Sequence, residues 1–371
     1  MLKKKVFLNK PISYIMELVI NKKRVIFMKA NIKRREIHPA SGAILMALGI
    51  FLYADVEAFP LIAQNVGGML LISVWLISVG LLFSLVKQFS RREWRDMVLH
   101  HPVRFFMMGT WVAGIFVLCQ VTLKYFPESF HVIQVLVILN TFLCFLFLGG
   151  SLIHFYSLLK EQFISSIHGI ILLSTVTTQA LVVTWAKMFS LPLEVLLFGV
   201  VLGGLFYLCG VWCLSLRYLC GRNWSLKNDW KNTNCILHGA LSITGLALVS
   251  TQALSATGLL LLWLAVLLIL LSVETIEIVR AVKRVQAYGW RKGLFTYDVS
   301  QWSRNFTFGM FYAFSIALPE RQSSIALIDQ IQQHFIFLWS WIVILLLSVE
   351  VFLWLGSISL SMREKEPTIL Q

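Results

Sequence analysis

Reading along the chain, polar positions come in short clusters, and between them run apolar stretches too long for a soluble core helix. These stretches centre near Leu48, Trp75, Gly114, Leu143, Thr177, Gly203, Leu246, Val266, Met310 and Ile344. A bilayer helix takes about 20 apolar residues, so the pattern predicts ten membrane spans. They occupy residues 38–360, between a basic N-terminal tail at 1–37 and a short tail at 361–371.

The ten stretches are of two kinds. Even-numbered ones are Leu, Val, Phe and Trp almost throughout, as in Leu259 to Leu271 and Phe335 to Leu347. Odd-numbered ones carry small and hydroxyl residues, among them Gly42, Gly49, Gly109, Thr110, Gly114, Ser174, Thr178, Gln179, Gly239, Ser250, Thr251 and Gln252. Small residues let helices approach closely, which is one reading of this split. The other is that five odd helices surround a central axis, with Thr178, Gln179, Ser250, Thr251 and Gln252 lining an uncharged path.

The odd stretches also open alike. His38-Pro39, His101-Pro102, His168-Gly169 and His238-Gly239 are spaced by 63, 67 and 70 residues. A further step of similar length reaches Trp302-Ser303. Val-Thr-Thr-Gln-Ala-Leu at 176–181 is echoed by Val-Ser-Thr-Gln-Ala-Leu at 249–254. The unit is a helical hairpin used five times, and parallel repeats of one hairpin can close about an axis along the membrane normal.

Composition narrows the class. Of the 371 residues, 58% are hydrophobic and 13% charged, against roughly a quarter charged in soluble domains. A water-soluble globular protein is excluded, and no room is left for a separate soluble domain. The net charge of +14 lies in scattered clusters rather than on one basic face, so it does not point to nucleic acid. Twenty-nine of the 32 Lys and Arg fall on the side of the chain termini, and three on the other side. The positive-inside rule then makes both termini cytoplasmic. Residues 1–37 have no cleavable signal pattern, and Met28 is an alternative start. The six cysteines sit in or beside apolar runs and read as reduced thiols.

The charges nearest the hydrocarbon are Arg304, Glu274 and Glu350. Arg304 is either an anion lure in an inner vestibule or a side chain snorkelling to lipid phosphate. Coupling of transport to protons needs a titratable group in the path, for which His168 and His238 are the candidates, helix capping being their alternative role. Paired histidines as haem ligands would have to face each other across a bundle, whereas these all sit at one membrane edge. There is no phosphate-binding loop, no metal-ligand spacing and no nucleophile–base arrangement, so neither an enzyme nor a cofactor or metal is expected.

The stretch Gln301-Trp302-Ser303-Arg304-Asn305-Phe306-Thr307-Phe308-Gly309-Met310-Phe311-Tyr312-Ala313 resembles the ninth-helix motif of the tellurite-resistance/dicarboxylate transporter family, which includes the slow-type anion channels of plant guard cells. Arg304-Asn305 departs from that motif. The resemblance implies an all-α membrane fold of five hairpins in pseudo-five-fold array, odd helices lining a pore, and a homotrimer in the cytoplasmic membrane with one pore per subunit. It also implies a pore-blocking Phe, matched by Phe308, with Phe306 competing for the inward face. A start near Tyr297 would put Phe308 about 16 Å along its helix. The expected function is passage of small anions through an uncharged, Phe-gated pore. The alternative is a proton-coupled C4-dicarboxylate carrier or a tellurite or oxyanion exporter.

Overall fold

The computed structural model describes residues 36–221, 224–318 and 326–363. The two expected tails, but for Glu36, Ile37 and residues 361–363, lie outside the described residues. Among those described there is no strand, and eleven α-helices have eight residues or more. Ten of them hold the ten predicted centres. We number these α1 (Gly42–Tyr53), α2 (Pro60–Phe89), α3 (Gly109–Tyr125), α4 (Phe130–Leu158), α5 (Leu173–Met188), α6 (Leu193–Ser215), α7 (Ile236–Thr251), α8 (Ala256–Gly293), α9 (Gln301–Ala317) and α10 (Ala326–Arg363). Short 3-10 turns lead into α1, α3, α5 and α7.

Nine of these elements are long and apolar enough to cross a membrane, with mean hydropathies between 1.3 and 2.7. The chain is a multi-pass membrane protein. The tenth, α9, has 17 residues, about 26 Å at 1.5 Å per residue, and carries Arg304 near its start.

Packing separates the two kinds of helix. Helix α1 packs on α3, α3 on α5, α5 on α7, α7 on α9, and α9 returns to α1. The five short helices thus form a closed ring. Their apolar windows are 67–89% buried where α9 is left aside, against 22–33% for the even-numbered helices. Those peripheral helices lie behind the ring, each against the ring helix of its own hairpin, and expose large apolar side chains such as Phe83, Phe142, Phe198 and Phe352. In water such a surface would be an association hazard; in lipid it meets tails as apolar as itself.

The small residues explain how the ring closes tightly. A Cβ on Gly42 would come within 2.5 Å of the Trp111 backbone nitrogen, so α1 and α3 cross backbone against backbone. The Trp111 indole donates to the Pro39 carbonyl over 2.7 Å at the same crossing. Other indoles tie ring to periphery: Trp75 to Thr122 at 2.9 Å, Trp185 to Thr141 at 3.1 Å, Trp263 to Ser315 at 2.7 Å. Without water to compete, each buried N–H needs such a partner. The six cysteines are unpaired, and Cys119, Cys144, Cys213 and Cys235 are buried.

The repeat is better aligned by helix starts than by histidine. His38 and His168 immediately precede the turns into α1 and α5, and His101 lies four residues before the turn at Phe105. His238 instead lies inside α7.

Candidate functional site

The ring surrounds a narrow axial space. It is lined by Ile50 and Tyr53 of α1, Val117 and Gln120 of α3, Ala180 and Val183 of α5, Ile243 and Leu246 of α7, and Met310 of α9. All five ring helices contribute, and four contribute a pair three residues apart, which share a helical face. The cavity volume is about 10 Å³, on the scale of one water. Its wall is apolar apart from Gln120 and the Tyr53 hydroxyl.

Toward the C-terminal ends of the ring helices a second cavity of about 640 Å³ lies next to this space. Tyr53, Gln120 and Leu246 belong to both walls, so the two adjoin. The wide cavity is also bordered by Glu57, Lys124 and Lys187. Lys124 pairs with Glu57 and donates to the carbonyls of Leu52 at 3.1 Å and Tyr53 at 2.8 Å. Lys187 donates to the Tyr53 hydroxyl and lies 4.4 Å from the centre of that ring.

The hydroxyl and amide residues expected to line the path are placed elsewhere. The Thr178 hydroxyl donates to Ser174 O at 2.7 Å, Ser250 to Leu246 O at 2.8 Å and Thr251 to Ala247 O at 2.9 Å. Each returns its proton to its own helix. Gln179 points at α6, where Nε2 donates to Val200 O at 3.0 Å. Gln252 is exposed and ends α7 in the left-handed region, at φ 52°. None of the five borders the axial space. Thr178 and Gln179 stand two and one positions before Ala180, whereas Ser250, Thr251 and Gln252 lie four to six residues beyond Leu246, at the end of α7.

Phe308 is likewise not among the residues that border this space. The helix begins at Gln301, so Phe308 lies about 10 Å along it, and its ring packs 4.8 Å from Trp339 of α10 and 5.9 Å from His238 of α7. Trp339 also donates to the Phe308 carbonyl at 3.1 Å. Phe306, fully buried, is four residues before Met310 and seven before Ala313, and therefore shares their helical face.

Arg304 is held by acidic partners in the wall of a cavity. Its Nη2 is 3.1 Å from Glu277 Oε2 and its Nε 3.4 Å from Glu274 Oε2. Glu277 also receives Arg280 at 3.1 Å and the Trp230 indole at 2.9 Å. Arg280 donates to Asn232 Oδ1 at 2.6 Å, and Asn232 to Ser300 at 2.9 Å. Two guanidiniums and two carboxylates are therefore paired, joining α8 to α9, beside a 160 Å³ cavity whose wall also carries Arg284. His238 Nε2 is 3.9 Å from Glu274 Oε1, and neither ring nitrogen has a hydrogen-bond partner.

Three other histidines act at helix entrances. His38 Nδ1 accepts from Ala40 N at 3.2 Å and His101 Nδ1 from Val103 N at 3.2 Å. His168 Nδ1 lies 2.7 Å from Thr233 Oγ1, joining the entrances of α5 and α7. Burial, with help from Arg217, Lys231 and His38, pushes His168 down to about 3. Burial also lowers His101, followed by the charge of Arg104.

Tyr53, Gln120, Lys124, Lys187 and Met310 emerge only from the structure. A signal was present for two of them, since Lys124 and Lys187 are two of the three basic residues on their side and stand 63 residues apart, one repeat. Asp55 was missed as well. It is fully buried in the turn after α1, both carboxylate oxygens lack a partner, and a Cβ on Gly309 would come within 2.8 Å of Oδ2. Among the described residues, no three His, Cys, Asp or Glu gather as metal ligands would. No protein-family model matches the chain, and no curated protein matches it either.

Proposed function

We propose that this membrane protein passes small anions along the axis of its five-helix ring, as a passive or weakly coupled channel or transporter of the cytoplasmic membrane. The observation that carries this reading is that one narrow axial space, lined by all five ring helices, shares three wall residues with a wide cavity bearing lysines. An anion leaving water needs replacement donors, yet fixed charges along the whole path would hold it too tightly to release. An apolar throat with cations confined to the mouth suits that requirement. The throat is too narrow for a hydrated ion, so this is a closed state, blocked by apolar side chains and dewetting. Met310, with Phe306 one turn below it, takes the blocking role that the resemblance assigns to Phe308.

Cytoplasmic termini follow from the charge distribution, which places the lysine-bearing mouth outside. Kinship with the tellurite-resistance/dicarboxylate transporters rests on residues 301–313, and trimeric assembly rests on that kinship alone.

A second reading, a proton-coupled dicarboxylate carrier or oxyanion exporter, is favoured by one observation. Asp55 is a buried, unpartnered carboxyl between α1 and α9, where protonation would alter how two ring helices meet.

The test is current and uptake from the reconstituted chain under chloride, nitrate and malate gradients, for wild type, Met310→Ala and Phe306→Ala. Enlarged currents in the variants that follow the anion Nernst potential support the channel. Malate uptake driven by a pH gradient and abolished by Asp55→Asn, without anion current in any form, moves the protein to the carrier reading.

A further inference from the structure

The wide cavity holds two ammonium groups in different situations. Lys124 is neutralised by Glu57, and its three N–H groups are engaged by that carboxylate and by the carbonyls of Leu52 and Tyr53. It serves to tie α3 to the end of α1. Lys187 pairs with no carboxylate among the described residues. Its contacts are the Tyr53 hydroxyl and ring face, a cation–π arrangement that leaves the charge in place. Since the Lys124–Glu57 pair adds no net charge, the cavity faces one uncompensated cation among the described residues.

The position of that cation matters. Tyr53 belongs to the wall of the throat as well as to that of the cavity, so the group it holds stands where the two meet. Gln120 stands at the same junction, and one of its amide protons goes to Thr184 Oγ1 at 2.9 Å, which leaves the other free. Around them the wall is apolar, with Leu123, Leu246, Ala313 and Ile316, and a low-dielectric wall strengthens the field of a fixed charge.

We propose that the wide cavity is a docking site for a small inorganic anion, with Lys187 as the recognising charge and Gln120 as an amide donor. Tyr53 is the positioning residue that holds the ammonium at the throat. The site deepens the anion reading above and rests on it for its purpose, but docking is measurable without transport.

The experiment uses the full chain in detergent and reads the quadrupolar broadening of the chloride NMR line, with nitrate as competitor. Wild type is expected to give excess broadening that nitrate removes. Lys187→Gln is expected to weaken the competed affinity about tenfold, the scale of removing one partly screened charge, and Lys187→Arg to restore it. Thermal unfolding of each variant verifies folding, and Lys187 lies at an exposed helix end, where the substitution is tolerated. In flux measurements Tyr53→Phe, which removes only the hydroxyl, is expected to raise the half-saturating external anion concentration while maximal flux is kept. Broadening absent from wild type, or unchanged in Lys187→Gln, overturns the docking site. Lys187-dependent broadening with no anion flux overturns the conduction reading and leaves the docking site standing.

Discussion

The Trp339 indole donates to the Phe308 carbonyl at 3.1 Å while the two rings lie 4.8 Å apart. One peripheral side chain thus fixes both the backbone and the ring of Phe308, on the side of α9 turned away from the axis. Phe308→Ala is therefore expected to behave as a packing mutation, destabilising by about 3–5 kcal/mol. Thermal unfolding in detergent checks the loss. Currents from the reconstituted variant are expected to stay near wild type, and currents as large as those of Met310→Ala would return the block to Phe308.

Gln179 and Gly203 form a matched pair between α5 and α6. A Cβ on Gly203 would come within 2.3 Å of the Gln179 Nε2, which donates to Val200 O. Gln179→Leu is expected to cost about 0.6–2 kcal/mol, the range of interhelical hydrogen bonds in membranes. Gly203→Ala displaces the amide from the same carbonyl. A double variant that loses no more than the worse single one is the expected result in a thermal-shift cycle.

The charges of Arg304, Glu274 and Glu277 are mostly buried, with side-chain exposures of 23, 19 and 8%. Removing one member leaves another uncompensated, so Arg304→Gln is expected to destabilise by about 3–5 kcal/mol. Adding Glu274→Gln to that variant is expected to recover part of the loss. Equal stability of the single and double variants would remove the coupling.

His168 sets a pH dependence. Its folded value, about 3, lies below the ordinary value near 6.5, so the unfolded chain binds the extra proton between these limits. Its contribution to stability is whole above about pH 6.5 and is lost as pH falls towards 3. Unfolding midpoints of wild type are expected to drop over that window, and His168→Asn to drop less steeply.

Hydropathy alone located ten helices, nine of them in elements long and apolar enough to cross a membrane, because a bilayer constrains the length and composition of whatever crosses it. The contrast between odd and even stretches was also legible, since close helix crossings demand residues such as Gly42 whatever their wider purpose. The face each side chain takes was not. A hydroxyl on a helix can satisfy itself on the carbonyl four residues back, as Thr178 and Ser250 do, so its presence says nothing about an axis. Arg304 was ambiguous for a related reason: its partners Glu274 and Glu277 lie on the preceding helix, and no local spacing announces them. Apart from Tyr53 and Gln120, the throat is made of Val, Ile, Leu, Ala and Met, indistinguishable by type from core.

Closure of the ring through α9 and α1 has a bearing on biogenesis. The first ring helix to leave the ribosome waits for the ninth before one of its two flanks is covered, so the last seam joins the most distant parts of the sequence. Such non-local contacts form slowly and leave intermediates open to wrong pairing. Until α9 arrives the nascent molecule is an open crescent with Gly239 and Gly245 of α7 uncovered at its edge, poised to pair with a second crescent. Chains truncated before residue 301 have no means of sealing that seam from within.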